Sequence, residues 1–317
     1  MPSCSDRQNG GEICSRDSIC AQCHLSGEVR VFRPGADWDS FRPGGRLSDA
    51  ITVFVQAGAP PGMTVTGHVE KLAQSACKRA AGDKLWCGTC HNPHEVQSAA
   101  RIREKCLACH GASACPARQD NCIGCHMPKI PVVDAQHVVY TDHSIPRRPR
   151  LAAGPTARQD AGLVPFGGGS AAPRDLALAC AIAGSRRPGA LALLEDAARN
   201  SPDDTEVLLD LAERYRNEGK ADQAIPLFER AGAALTALAG LGAIRFERGE
   251  YAGAIRLWED ALAKNAGLVL ARTNLALAYW KTGDLQAAEK HLVKAVALGP
   301  GLAAPADLLE KLRRRKR

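Results

Sequence analysis

Four copies of one five-residue pattern, Cys-x-x-Cys-His, stand out in this 317-residue chain. They occupy residues 20–24, 87–91, 106–110 and 122–126. Two thiols at this spacing can each form a thioether with one vinyl group of a haem, and the adjacent imidazole then lies under the iron as an axial ligand. The pattern predicts four covalently attached haems c. Their predicted proximal ligands are His24, His91, His110 and His126.

Paired cysteines also occur in zinc sites and in thiol redox sites, where the next residue is unconstrained. Here a histidine follows every pair, although the whole chain has only 9 histidines. A zinc ribbon gains nothing from that histidine, because two thiolates and an adjacent imidazole in one short turn rarely complete a tetrahedron. Haem attachment is therefore favoured. The predicted attachment residues are Cys20, Cys23, Cys87, Cys90, Cys106, Cys109, Cys122 and Cys125.

The sixth position of each iron decides between an electron carrier and an enzyme. Outside the motifs, the first 150 residues hold four more histidines, one for each predicted haem. They are His68, His94, His137 and His143. This match favours two histidine ligands on every iron, and hence electron transfer.

The position of His94 limits what it can bind. It lies three residues after His91 and cannot reach the opposite face of the haem that His91 holds, so it must serve a neighbouring iron or a propionate. Met63 is the competing soft ligand for a sixth position. A single unfilled position would instead indicate a reductase or oxidase of small nitrogen or sulfur compounds.

Five stretches of sequence carry a family resemblance. They read Cys-Ala-Gln-Cys-His-Leu-Ser-Gly, Thr-Gly-His-Val-Glu-Lys-Leu, Leu-Trp-Cys-Gly-Thr-Cys-His-Asn-Pro-His, Cys-Ile-Gly-Cys-His-Met-Pro and Thr-Asp-His-Ser-Ile-Pro-Arg. The chain resembles bacterial multihaem c-type cytochromes with C-terminal tetratricopeptide (TPR) repeats, related in haem packing to the multihaem cytochromes of nitrogen-cycle bacteria. The resemblance covers about residues 15–150 and, more loosely, 171–302. It implies that His68, His94 and His143 are distal ligands.

Members of that family usually have a signal sequence and further haem motifs upstream. The first residues of this chain show neither, so we expect an N-terminally shortened sequence. Haem attachment of this type takes place outside the cytoplasm, which predicts a periplasmic or otherwise extracytoplasmic protein. No apolar run reaches the roughly 18 residues that a transmembrane helix needs.

The formal net charge of +7 does not indicate nucleic-acid binding. Residues 1–150 hold 18 Lys and Arg against 14 Asp and Glu, a balance of +4. Because its two propionates leave each ferric haem with one net negative charge, four haems would cancel that balance. We therefore expect no nucleic-acid partner.

Five cysteines lie outside the motifs. They are Cys4, Cys14, Cys77, Cys115 and Cys180. In an oxidising compartment a Cys77–Cys115 disulfide is one option, and a pair of free thiols shielded by haem is the other.

From Asp175 onward the sequence has a helical pattern and repeats itself. Glycine, small and large positions recur at offsets of 30 and then 34 residues. The aligned residues are Gly219, Ala224, Phe228 and Ala231, then Gly249, Ala254, Trp258 and Ala261, then Gly283, Ala288, Leu292 and Ala295. In TPR repeats Ala lets two antiparallel helices approach and Gly turns the chain between them. A generic Ala-rich bundle is the alternative.

The predicted fold is mainly α, with an irregular haem-packed multihaem cytochrome c domain followed by an α-solenoid of TPR helix pairs. The boundaries are 1–150 for the tetrahaem domain, 151–172 for a Pro/Gly-rich linker and 173–317 for the TPR domain with a capping helix and a basic tail. The 30-residue offset predicts a shortened turn between about Ala231 and Leu235.

The predicted function is electron relay through four haems. We expect a redox partner at a haem edge, and a peptide or protein in the TPR groove. An enzyme with one open haem, and a TPR scaffold in which the haems are structural, are the alternatives.

Overall fold

The computed structural model describes residues 15–57, 63–111, 121–147, 162–184 and 189–316. The chain is mainly helical, as predicted, and forms two compact units, Met1–Arg186 and Arg187–Arg317. Each unit has its own hydrophobic core. No helix within these described ranges is both long and apolar enough to cross a membrane.

The first unit combines short helices with two small sheets. Its helices are α1 (Ser15–His24), α2 (His68–Ala73), α3 (Ala76–Ala81), α4 (Cys87–Cys90), α5 (Ala99–Cys109), α6 (Cys122–His126) and α7 (Pro173–Ile182). Its strands are β1 (Val29–Phe32), β2 (Ile51–Gln56), β3 (Lys129–Pro131), β4 (Val139–Thr141) and β5 (Leu163–Pro165).

A three-stranded antiparallel sheet, in the order β1-β2-β5, supports the first motif helix. Phe54 pairs with Val29 on one side and with Pro165 on the other. The apolar side chains of this region form one cluster. It contains Ala21, Leu25, Phe41, Leu47, Ala50, Ile51 and Val53. Ala21 and Leu25 belong to α1 or follow it directly, so burial of this cluster fixes the helix that carries the first motif.

Helix α7 is held by the same sheet. Asp175 is only 1% exposed and accepts hydrogen bonds from Arg33 Nη1 at 2.9 Å and from Thr52 Oγ1 at 2.7 Å. Arg174 Nη1 donates to the Phe32 carbonyl at 2.6 Å. Because a buried carboxylate must be paired, these bonds fix α7 to the sheet. The predicted linker thus contains β5, and the division between units falls later than residues 151–172.

The three later motifs have no comparable protein core. Helices α4, α5 and α6 contain no buried residue, and all their residues lie within the described part of the chain. Ser98 caps α5 by accepting from Arg101 N, and Asn121 caps α6 by accepting from Gly124 N. Local capping therefore forms these helices, while burial of protein side chains contributes little to holding them together.

The second unit is a succession of antiparallel helices. They are α8 (Ala190–Asn200), α9 (Thr205–Asn217), α10 (Ala221–Ala231), α11 (Leu235–Glu247), α12 (Tyr251–Lys264), α13 (Val269–Thr282), α14 (Leu285–Leu298) and α15 (Ala303–Lys316). Gly219, Gly249 and Gly283 have φ values of +75°, +78° and +91° at the α9–α10, α11–α12 and α13–α14 turns. A left-handed turn favours glycine, which explains the recurrence of this residue.

The aligned small and large positions form the core of this unit. Ala224, Ala254 and Ala288 are fully buried, as are Phe228 and Leu292. The 30-residue offset has two causes. Helix α10 has 11 residues against 14 in α12, and the turn that follows it spans 232–234 instead of 265–268. Most of the shortening therefore lies in the helix, and only one residue of it lies in the predicted turn.

Candidate functional site

The first and second motifs lie side by side in the first unit. Asp17 Oδ1, one turn before Cys20 on α1, accepts from Cys87 N at 3.4 Å. The Arg16 guanidinium lies 5.1 Å from the centroid of the Trp86 ring, a cation–π contact. The Cys20 and Cys87 side chains are hydrogen-bonded to each other. These contacts place the first thiols of two motifs next to each other.

Partial burial raises the pKa of three motif thiols. It raises the pKa of Cys87 to about 12, with further contributions from the Asp17 carboxylate and the Cys20 thiol. Burial also raises the pKa of Cys90 and of Cys106. A thiol redox site needs a lowered thiol pKa, since the thiolate is the nucleophile. The thiol redox alternative is therefore not favoured by these three thiols.

The second, third and fourth motifs are neighbours in space in the same order as in the sequence. Cys90 interacts electrostatically with Cys106 and Cys109, and Cys106 interacts with Cys122. Helix α4 contacts α5, and α5 contacts α6. The motif thiols therefore form a continuous series through the unit, from the first motif to the fourth.

Four of the eight predicted iron ligands come together in one histidine cluster. Its members are His24, His68, His91 and His143. The ring centroids of His24 and His68 are 5.1 Å apart, those of His68 and His143 are 4.9 Å apart, and those of His91 and His143 are 6.1 Å apart. The cluster thus joins two predicted proximal histidines to two predicted distal ones. Tyr140 adds an edge-on contact to His68, with centroids 5.6 Å apart.

Ring separations test whether an iron could lie between these pairs. A bond of about 2 Å from a first-row metal to imidazole puts two opposed ligand nitrogens about 4 Å apart, and the ring centroids about 6 Å apart. The 6.1 Å separation of His91 and His143 matches this requirement. The 5.1 Å pair, His24 and His68, must open by about 1 Å to meet it.

Hydrogen bonds at Nδ1 show which ring nitrogen is available to a metal. His143 Nδ1 lies 2.9 Å from the Thr141 carbonyl, and His126 Nδ1 lies 2.8 Å from the Pro146 carbonyl. A carbonyl can only accept, so each Nδ1 carries the proton and Nε2 keeps its lone pair. Among the described residues, no hydrogen-bond partner reaches the buried His68 Nδ1 atom. His143 and His126 therefore have the tautomer that metal-ligating histidines use.

Partial burial favours the neutral form of His68 and His143. It lowers the pKa of His68 to about 4, and positive charge on His143 and His24 lowers it further. Burial is also the main cause that lowers the pKa of His143. Metals bind the neutral imidazole, so both side chains are in the ligand form at neutral pH.

The other predicted distal ligands are placed differently. His94 and His137 are exposed, and His137 has a left-handed backbone with φ +60°. Among the described residues, no ring contact joins either of them to His110 or His126. Ligation of the third and fourth motifs by His94 and His137 stays a prediction.

In the described part of the chain, no group of three Cys, His, Asp or Glu side chains is arranged to hold a metal ion. Met63 is buried. Cys77 is a free thiol, and Cys115 lies outside the described residues together with Cys4 and Cys14. Asp17 and Tyr140 were missed by the sequence analysis, because nothing in their spacing relates them to the motifs.

The second unit has a cavity of about 210 Å³ on one face. Its lining comes from α9, α11, α12 and α13. The residues are Arg216, Ala243, Phe246, Glu247, Trp258, Asn274 and Leu277. The Arg216 guanidinium is paired with Glu213 at 2.6 Å. The cavity therefore combines an aromatic wall with an amide and both signs of charge, a composition suited to a peptide.

A family model described as a tetratricopeptide repeat matches residues 240–303. The second unit contains TPR repeats. This region spans α11 to α14, with the turn glycines Gly249 and Gly283 and the buried Ala254 and Ala288. The repeats are the part of the fold prediction that is confirmed, and the generic helical bundle is set aside.

Solved structures of TPR proteins resemble the chain over less than half its length. MamA 41-end from Desulfovibrio magneticus RS-1 is 25% identical, with 45% of this chain and 83% of that chain covered and a TM-score of 0.42. The first TPR of Spaghetti (RPAP3), described as bound to HSP90 peptide SRMEEVD, is 21% identical, with 35% and 91% covered and a TM-score of 0.34. No curated protein matches the chain.

One hydrogen bond recurs between TPR helices. Tyr279 Oη donates to Glu259 Oε1 at 2.5 Å, and Tyr215 Oη donates to Glu195 Oε1 at 2.7 Å. Each tyrosine lies 20 residues after its glutamate. Each bond therefore joins the second helix of one repeat to the first helix of the next and helps to fix their angle.

Proposed function

We propose that this chain is an extracytoplasmic multihaem c-type cytochrome that relays electrons through four covalently bound haems. The observation that carries the proposal is the pair His91 and His143, whose rings are 6.1 Å apart. His143 belongs to no motif, yet its ring lies near a motif histidine at a centroid separation that a shared metal would allow. Its Nδ1 bonds to the Thr141 carbonyl, which leaves Nε2 free.

The chain's own residues would hold the cofactors as follows. The eight motif cysteines form the thioethers, and the motif histidines are the proximal ligands. His143 pairs with His91, and His68 pairs with His24, while His94 and His137 serve the third and fourth motifs. When bound, each haem supplies a one-electron Fe(III)/Fe(II) couple.

The arrangement of the motifs supports a relay rather than isolated sites. Electrostatic interactions between thiols follow the order of the motifs, from Cys20 to Cys87, from Cys90 to Cys106, and from Cys106 to Cys122. Haems attached at successive motifs would therefore lie next to one another, as a relay requires. His68 and His143 are partly buried and neutral, so they would serve as the second imidazole ligands of two of the haems.

TPR repeats bind protein partners, and the cavity lined by Phe246, Trp258 and Asn274 is the proposed docking site. The partly exposed Phe246 ring offers apolar contact area, and the Asn274 amide can bond to a peptide backbone. We propose that the repeats recruit a partner or an assembly, and that a redox protein meets the first unit at a haem edge.

The amount of haem per chain tests the proposal directly. We expect four haems by pyridine haemochrome assay on protein produced with its haem-attachment machinery, and three in the C87A/C90A variant. The matched control is C77A, which removes a free thiol outside the motifs and should keep four. Protein with zinc and no haem would overturn the proposal.

Low-temperature EPR separates the relay from an enzyme. Spectra that are wholly low-spin and unchanged by cyanide or nitrite support two histidine ligands on every iron. A high-spin signal that either ligand alters would favour a reductase of small nitrogen compounds. His94 and His137, which have no ring partner among the described residues, make the third and fourth motifs the ones to examine first.

A further inference from the structure

Several short hydrogen bonds hold the turn from Thr141 to Pro146 in one conformation. Ser144 donates to the Asp142 carboxylate twice, from its backbone N at 2.8 Å and from its Oγ at 2.8 Å. Asp142 N donates to the Pro128 carbonyl at 2.9 Å. The last bond ties the turn to the residue pair that follows His126. One carboxylate thus fixes the shape of the turn.

The two ends of this turn orient two different imidazoles. The Thr141 carbonyl accepts from His143 Nδ1 at 2.9 Å, and the Pro146 carbonyl accepts from His126 Nδ1 at 2.8 Å. His143 faces His91 of the second motif, whereas His126 belongs to the fourth motif. The turn therefore bonds to one histidine that lies near the second motif and to another that belongs to the fourth motif.

Ile145 shows that the turn is held under strain. Its φ is +43°, a left-handed conformation that a β-branched residue rarely adopts. The following proline also disfavours this conformation, because it pushes the preceding residue toward extended backbone. Such strain persists only where the surrounding bonds over-determine the conformation. Here the conformation brings the Pro146 carbonyl to His126.

We propose that the Thr141–Pro146 turn is a positioning element that sets the axial histidines of two haem sites at once. This inference rests on the proposed function. A carbonyl that accepts from Nδ1 makes the imidazole a stronger donor to iron, which favours the ferric state and lowers the reduction potential. Loosening the turn should therefore raise the potentials of two haems together.

The test uses the haem-loaded full chain and the variant D142A, which removes both acceptors of Ser144. The matched control is D134A. Asp134 also accepts from a backbone amide, Val65 N at 3.0 Å, and in the described part of the chain its hydrogen bonds reach neither His126 nor His143. S144A is a milder second variant, since it removes only the Oγ bond and leaves the backbone bond. It keeps the test possible if D142A does not fold.

Haem content is measured first, then potentials by spectroelectrochemical titration and ligand geometry by EPR. We expect four haems in every variant, and in D142A a rise in two of the four potentials with altered g values for the same two haems. S144A should move the same two haems by less, and D134A should move none. Four haems with no shift, a shift in one haem alone, or an equal shift in D134A would overturn the inference. An absence of haem in the unmodified chain would instead overturn the proposed function.

Discussion

The TPR unit and the motif segment, whose described helices are α4, α5 and α6, bury their residues very differently. In the TPR unit Ala224, Ala254 and Ala288 are fully buried between helices. In the motif segment no residue of α4, α5 or α6 is buried. Burial of side chains thus holds the helices of the TPR unit together, but it does not hold α4, α5 and α6 together. We therefore expect the proposed haems to supply the core that the side chains of α4, α5 and α6 do not form.

The largest expected effect follows from this difference. Without haem attachment, α4, α5 and α6 should lose nearly all their protection against amide hydrogen exchange, because a bound group that forms the core contributes its binding free energy to folding. Helices α8 to α15 should keep theirs. Hydrogen exchange with mass spectrometry checks this, on the haem-loaded chain and on a variant with all eight motif cysteines changed to serine.

The same experiment contains an internal control. Strands β1 and β2 belong to the first unit but pack on a protein core, so they should lose less protection than α5. Equal protection of α5 in both proteins would show that the segment is stable by itself. The comparison between the two regions would then fail.

The second change disrupts the TPR unit and leaves haem binding unchanged. Trp258 is 1% exposed, and a Cβ on Gly242 would lie 2.5 Å from its Nε1 atom. We expect W258A to cost about 3–5 kcal/mol and G242A about 1–3 kcal/mol of unfolding free energy. Denaturant unfolding followed by circular dichroism measures both. Haem content should stay at four.

The control for the added methyl group is G301A. A Cβ on Gly301 meets nothing within 4 Å, and its backbone φ is not left-handed. Its unfolding midpoint should stay within error of the unmodified chain. A G242A protein as stable as G301A would mean that the helices do not pack as closely as the structure shows.

The same contrast explains what the sequence could predict. A TPR position has a local steric requirement, so Gly249 and Ala254 were identified from their spacing alone. Thioether chemistry has a fixed spacing too, which identified the four motifs. The sheet was missed because β5 lies far along the chain from β2, in a stretch that reads as a Pro/Gly-rich linker. The strand pairing and the bonds to Asp175 depend on contacts between distant residues, which no short pattern records.

The placement of the predicted distal histidines also could not be predicted from short sequence patterns. Counting histidines predicted the number of distal ligands, and the resemblance implied three of their identities. Neither could say which proximal histidine each one faces. The ring contact between His143 and His91 depends on the hairpin of β3 and β4 and on the turn after it. That information lies in hydrogen bonds to backbone carbonyls, which have no sequence signature.

The smallest expected effect concerns a carboxyl group in the TPR unit. Burial on α9 raises the pKa of Asp210 to about 6 from a model-peptide value of 3.8, and the nearby Glu206 and Glu213 raise it further. Between about pH 4 and pH 6 the folded state therefore holds a proton that the unfolded state has released. Stability of the TPR unit should decline as the pH rises through this window and change little above it. The contribution is on the order of 1 kcal/mol, because solvent screens a partly exposed carboxyl group.

Replacing this carboxyl group with an amide tests the sign of the effect. D210N should remove most of the decline and be more stable than the unmodified chain at pH 7, with a slightly higher denaturation midpoint. The control is D203N, which makes the same change at an exposed position in the loop before α9 and should keep the decline. Because the effect belongs to the TPR unit alone, amide exchange in β1 and β2 should be the same in both variants. A pH-dependent difference in those strands would show that the two regions are energetically coupled, and the independence of their cores would have to be abandoned.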